Sequence, residues 1–436
     1  MICKVTVWVF GFYLHSEEGW SIIGEILPQC ACCGKPEDTD MKYKLRFILF
    51  FAAMILFNLG ANFAHPVTPT IIQELALPDY MFGLMLAVMM LFNFLFSPFW
   101  GKINVSISSR ATLLVGSLGY AAAQLLFAYS QTQMGILLAR ALAGIFVGGV
   151  FVSFLTYVIN MAKPEDQAKF LTYTATIQSV FGAFGYLVGG LVGEYSIRGM
   201  FWLQAASLAG SGVIFWIACL PDNMESEKLT AKQILKETNP LQAFLDGKYF
   251  MNVAFALLFA LNILINFGNT GFDQVFNYYL KDQLGLTSSY NGLIKAAVGF
   301  ISFAANMTLC IWIIGKTNTK KSMVMLSVLC TAAAIGAVLL PDLKLYIGCS
   351  ILLYALYSVS LPVVQHMAAE QADPAQKNLV MGFYNATKSL GSIIGSLMAG
   401  FLYSVHVKLP FGVVAAAYGI SVLAAVGYLI SCKKKN

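Results

Sequence analysis

Asp273 is one of 21 carboxylates in a chain of 436 residues, and the only one that falls in neither a polar loop, nor a chain end, nor the edge of an apolar run. A carboxylate held in hydrocarbon costs about 2.5–3.5 kcal/mol on insertion scales, so one that persists there marks a site of function. Its chemistry would be the uptake and release of a proton. Two bases share the apolar setting, Arg140 and Lys388. Either could tune Asp273 or hold a bound solute. Lys388 is also placed to form an ion pair with Asp273 that opens and closes, and Lys281, eight residues past the acid, is an alternative partner. Lys295, at the edge of the next run, reads as an interfacial lysine. His65 stands beside Pro66, where an imidazole either titrates near neutral pH or serves the kink.

Around these charges lie groups able to bind a small organic molecule. Asn62, His65, Phe184, Asn269, Asn277, Tyr384 and Lys388 are the candidates for substrate binding. Phe181, Phe184, Phe276, Tyr278 and Tyr279 could form an aromatic pocket, or could simply pack. No catalytic constellation is present, so an enzyme is not expected. No phosphate-binding loop of the Gly-x-x-x-x-Gly-Lys-Ser/Thr type occurs, and the glycines at 182–190 follow no strand, which excludes a nucleotide site there. The energy source must be a gradient. Cys30, Cys32 and Cys33 are too tightly spaced for a zinc site and lack a second ligand pair. No cofactor or metal is expected.

The residues around these groups are overwhelmingly apolar: 58% hydrophobic and 11% charged, against roughly 25% charged in soluble domains. Twelve apolar runs recur, at about 44–72, 80–100, 111–129, 134–158, 170–194, 199–220, 250–280, 289–315, 323–341, 345–368, 378–404 and 409–431. Each reaches the roughly 20 residues that cross a bilayer as a helix. The fold class is therefore all-α integral membrane, with twelve transmembrane helices. If the first run starts in the cytoplasm, the inner loops hold 18 basic residues and the outer loops 4. The positive-inside rule then places both termini in the cytoplasm. This asymmetry accounts for the formal charge of +6 without nucleic acid. With Lys281 at the outer end of its run, Asp273 is predicted to face a cavity that opens outward.

Residues 1–40 stand apart, with four of the nine cysteines. Met41 opens "MKYKLRFILF", a basic flank leading into an apolar run, so 1–40 reads as an extension of doubtful nativeness. The remainder divides into a six-helix half at 41–220, a polar cytoplasmic linker at 221–248, and a second half with a basic tail at 249–436. The halves share a faint repeat at an offset of 211. Asn58–Asn62 corresponds to Asn269–Asp273, and Tyr173, Ala175, Thr176 and Gly189 correspond to Tyr384, Ala386, Thr387 and Gly400. Gly101-Lys102 recurs as Gly315-Lys316. Duplicated halves of this kind build secondary transporters, with the substrate between them near the midplane.

Pro66-Val67-Thr68-Pro69, "SPFWGKI", "LLARALAGIFVGG" and "GFDQVFNYYLKDQLGLTSS" together resemble the major facilitator superfamily over about residues 42–431, and within it the bacterial quinolone and multidrug exporters of the drug–proton antiporter branch. The resemblance implies two six-helix pseudo-repeats and export of a small organic solute against protons by alternating access. It implies a monomer in the bacterial cell membrane, with protons, solute and lipid as its partners. It assigns proton coupling to Asp273 and Arg140, and conformational roles to Gly101, Lys102, Gly185, Gly189 and Gly315. The chain departs from the family pattern at three places. The acid of the loop after the second span is Val105, and the latch it forms would be rebuilt through Asn104. The proline of the fifth-span glycine motif is Tyr186. A second acid of the tenth span is absent near Ser358. One acid among bases favours neutral, zwitterionic or anionic solutes over dications. A sugar or metabolite importer of the same fold is the alternative, and a non-transporting receptor a remote one.

Overall fold

Lipid offers no hydrogen-bond partner to a backbone, so apolar runs of this length fold as helices that satisfy themselves. The computed structural model describes residues 37–222, 239, 241–339, 342–373 and 376–433. Twelve long helices lie within them: α1 (Glu37–Ala61), α2 (Met81–Ser106), α3 (Ser109–Tyr129), α4 (Gln133–Met161), α5 (Pro164–Tyr195), α6 (Ile197–Ala218), α7 (Val253–Asp282), α8 (Ser288–Lys316), α9 (Thr319–Leu339), α10 (Leu343–Gln371), α11 (Lys377–Val405) and α12 (Leu409–Lys433). Eleven are long and apolar enough to cross a membrane. The remaining one, α11, is as long as α4 but carries Asn385, Thr387, Lys388, Ser389, Ser392 and Ser396. Residues 1–36 of the extension and most of the 221–248 linker lie outside the described residues.

The chain divides into two units. Of the first, Met1–Phe47, the described part is the start of α1, where Tyr43 and Phe47 meet edge-on at 5.0 Å. Ile48–Asn436 forms the second unit, which holds the cavity and every candidate site. The first apolar run does not continue to residue 72 as expected. α1 stops at Ala61, a turn carries His65 and Pro66, and a short helix follows at Thr68–Glu74 with Pro69 in its first turn.

Glycines set the close helix contacts. A Cβ on Gly185 or Gly189 of α5 would overlap the carbonyls of Leu59 and Phe63, so α5 lies directly on the chain at the end of α1. The second half repeats the device, with Gly391 and Gly395 of α11 against the carbonyls of Ile263 and Phe267 of α7. Gly101 and Gly315 behave otherwise. Both lie inside helices with open space around them, so neither brings two backbones together. Between α2 and α3 the turn is made at Ser108, φ 122°. Lys102 belongs to the last turns of α2.

An acid outside that loop joins the helices beside it. Asp222, just past α6, accepts hydrogen bonds from the Ser109 amide (2.7 Å), the Ser109 hydroxyl (2.6 Å) and the Asn160 amide (3.1 Å). It thus joins the start of α3 to the end of α4, at a helix N-terminus whose dipole favours negative charge. Asn104 accepts from the Ser153 hydroxyl of α4 at 3.1 Å.

Candidate functional site

The two halves meet along α5–α8 and α2–α11. Toward the end of the bundle opposite the linker the seams are tight. Gly292 of α8 lies against the backbone of Tyr186 and Leu187, and Gly83 of α2 against that of Ser396 and Gly400. The Ser396 hydroxyl donates to the Gly83 carbonyl at 2.7 Å. Tyr278 donates to Asp79 at 2.6 Å, and the Asn277 amide donates to the His65 carbonyl at 3.0 Å. Below this closure a cavity of about 770 Å³ runs toward the linker end, lined by α5 from Thr172 to Tyr186, α8 from Lys295 to Met307 and α10 from Tyr354 to Gln365. The outward-opening cavity expected from the sequence is therefore corrected. The seams are closed at the end to which Asp273 is nearer, and the space lies on the other side.

Asp273 sits at the closed apex. Lys295 of α8 forms an ion pair with its Oδ1, and Tyr354 of α10 donates to the same oxygen at 2.9 Å. Lys295 Nζ also donates to the Tyr354 hydroxyl at 2.7 Å, closing a triangle of carboxylate, ammonium and phenol. The ammonium lies 4.2 Å from the Tyr354 ring centroid, 5.5 Å from that of Phe276 and 5.6 Å from that of Tyr186. Lys295 is 6% exposed and Asp273 23%. The interfacial reading of Lys295 is overturned: aromatic rings and a carboxylate solvate its head inside the bundle. The partner of Asp273 is thus neither Lys388 nor Lys281. This arrangement can hold a proton or an ion pair in alternation, because protonating the acid leaves the lysine without its counter-charge.

The other candidates divide. Asn62, Asn269, Tyr384 and Lys388 line the cavity with Asp273. Tyr384 also donates to the Leu361 carbonyl at 3.3 Å. His65 and Asn277 do not line it. Asn277 is one helical turn beyond Asp273, within the closure, where it also accepts from Asn291. The His65 ring stacks on Tyr186 at 5.2 Å. Phe184 points away into the α5–α8 seam, edge-on to Phe300 at 5.1 Å. Phe181 packs beside it, and Phe276, Tyr278 and Tyr279 pack among other rings. The cavity's aromatic groups are instead Tyr186, Phe303, Tyr354, Tyr357 and Tyr384. Arg140 is 4% exposed, with its guanidinium 4.1 Å from the Phe127 ring centroid. It lies outside the cavity lining. Among the described residues no cluster of His, Cys, Asp and Glu could hold a metal.

Lys295, Tyr354 and Tyr186 were missed as site residues. Tyr186 carried a signal, since it replaces the family's proline.

Known proteins match this architecture. The chain is 22% identical over 397 residues to the quinolone resistance protein NorA of Staphylococcus aureus, covering 88% of this chain and 95% of that protein. It is 24% identical over 382 residues to the multidrug resistance protein MdtG of Proteus mirabilis, covering 84% and 91%. The crystal structure of a bacterial homolog of the human lysosomal transporter Spinster, inward-facing and unoccupied, superposes with a TM-score of 0.67 at 15% identity, covering 91% of this chain and 96% of that one. The profile described as Major Facilitator Superfamily matches residues 49–360. With that match across most of its length, the chain belongs to the major facilitator superfamily of membrane transporters.

Proposed function

We propose that the protein exports a small organic solute in exchange for protons by alternating access, with Asp273 as the proton carrier. The observation that carries this reading is the Asp273–Lys295–Tyr354 triangle at the closed apex of a cavity between the halves. The relatives named for quinolone and multidrug resistance, NorA and MdtG, support a drug-like class of solute and a direction of transport that would confer resistance, which is export. The basic inner loops support a cytoplasmic linker end, which makes this the inward-facing state. In this reading the carboxylate releases its proton on that side and pairs with Lys295, and the cavity then takes solute. When the opposite end opens, a proton from outside neutralises Asp273, the pair dissolves, and the solute leaves. Each proton moving inward with the membrane potential contributes about 2.3 kcal/mol per 100 mV.

The test is uptake of a fluorescent solute into inverted membrane vesicles under an imposed proton gradient. Wild type should accumulate it and an uncoupler should abolish accumulation. Asp273→Asn should equilibrate the solute without concentrating it. Gradient-driven accumulation by the mutant would remove Asp273 from the proton path.

A further inference from the structure

Of the two in-span bases that the proton mechanism leaves over, Arg140 and Lys388, the one lining the central cavity is Lys388. It lies on α11 roughly 16 Å from the linker end of that helix, at about 1.5 Å per residue, and roughly 25 Å from the other end. It is near mid-depth in the bundle, and no described residue gives it a hydrogen bond or an ion pair. The one carboxylate lining the cavity is already taken by Lys295. A cation held inside a membrane protein without a counter-charge calls for one.

Lys388 also borders a second cavity. A space of about 390 Å³ separates α2 from α11 and includes Lys388 in its walls, along with Asn93, Phe94, Ser97 and Pro98 of α2 and Asn385 of α11. The contact of Gly83 with Ser396 and Gly400 bounds it toward the closed end. Toward the linker end a bridge of rings bounds it, Phe94 to Phe244 at 6.2 Å and Phe244 to Phe383 at 5.5 Å. The space is a window in the α2–α11 wall, apolar with a few amides and hydroxyls, and Lys388 is the residue that lines both it and the central cavity.

We infer that Lys388 anchors the acidic head of an amphipathic organic anion whose apolar body occupies this window. This deepens the proposed function by naming the solute's class. Carboxylates, sulfonates and phosphate monoesters share the required chemistry, a negatively charged head on an apolar body. A cation of the same size is disfavoured, because Lys388 repels it and Asp273 is occupied.

Fluorescein and rhodamine 123 test the claim, being one ring system with opposite charge. Binding to the purified full-length chain in phosphatidylcholine nanodiscs is followed by fluorescence anisotropy with no gradient, so the result does not depend on proton coupling. Fluorescein should bind saturably, Lys388→Arg should keep that binding, and Lys388→Gln should weaken it at least tenfold while retaining the wild-type melting profile. Rhodamine 123 should show no loss in Lys388→Gln. Nanodiscs containing phosphatidylglycerol separate the two sources of such an anion. Weakened fluorescein binding there assigns the site to a lipid headgroup, and unchanged binding assigns it to a free anion. No saturable fluorescein binding, or equal binding by wild type and Lys388→Gln, overturns the inference. Failure of the vesicle assay with intact Lys388-dependent binding would instead count against the proton-driven export reading alone.

Discussion

At the scale of residues, the apex triangle makes Lys295 as necessary as Asp273. Removing one partner of a buried ion pair costs about 3–5 kcal/mol, because the other is left uncompensated. Lys295→Gln should therefore abolish concentrative transport and lower the melting midpoint in detergent, while Lys295→Gln combined with Asp273→Asn should melt closer to wild type. The thermal denaturation of the two singles and the double checks this, and additive losses would show that the pair is not a unit. Asp273 was legible in the sequence because its anomaly is local: one acid in an apolar run. Lys295 was not, because a lysine seven residues into a span can either snorkel to the interface or turn inward. Only the rings of Tyr186, Phe276 and Tyr354, from three different helices, decide between the two. Asn277 misled for the same reason in reverse. It lies one turn from Asp273 on the same helix, but that turn carries it past the closure.

At the scale of elements, the twelve helices were readable because apolar length is a property of each segment alone, and the 211-residue offset exposed the repeat. The clamp at the start of α3 was unreadable. Asp222 is more than a hundred positions from Ser109 and lies at the edge of a polar stretch, where an acid attracts no notice. Its three acceptor contacts satisfy an α3 amide, a hydroxyl and an α4 side chain together. Hydrogen bonds to a charged group are worth about 1.5–3 kcal/mol each in net stability, so Asp222→Ala should lower the melting midpoint of the detergent-solubilised protein by several degrees. Asp222→Asn, which keeps one acceptor oxygen, should lower it less. Fluorescein binding should be unchanged in both, since the clamp lies outside the cavity walls. An Asp222→Ala protein as stable as wild type would make the clamp incidental.

At the scale of the whole molecule, the ion pair lies within one half, among α7, α8 and α10, yet it borders the seam with the other half through Tyr186 of α5. That position gives protonation a direction. Lys295 lies seven residues from the start of α8 at the closed end, roughly 10 Å at about 1.5 Å per residue. With Asp273 neutral its ammonium is a buried charge without a partner, and opening of that end brings water to it. Low pH should therefore shift the molecule from the linker-open toward the opposite-open arrangement. Spin labels at Glu165→Cys and Lys316→Cys report the linker end of the α5–α8 seam, and labels at Tyr195→Cys and Tyr290→Cys report the other end, all four being exposed positions. Pulsed dipolar distances should shorten for the first pair and lengthen for the second as pH falls. In Asp273→Asn the distributions should no longer respond to pH, because the acid that reads the proton is gone. If the mutant titrates as wild type does, some group other than Asp273 couples protons to the rocking of the halves.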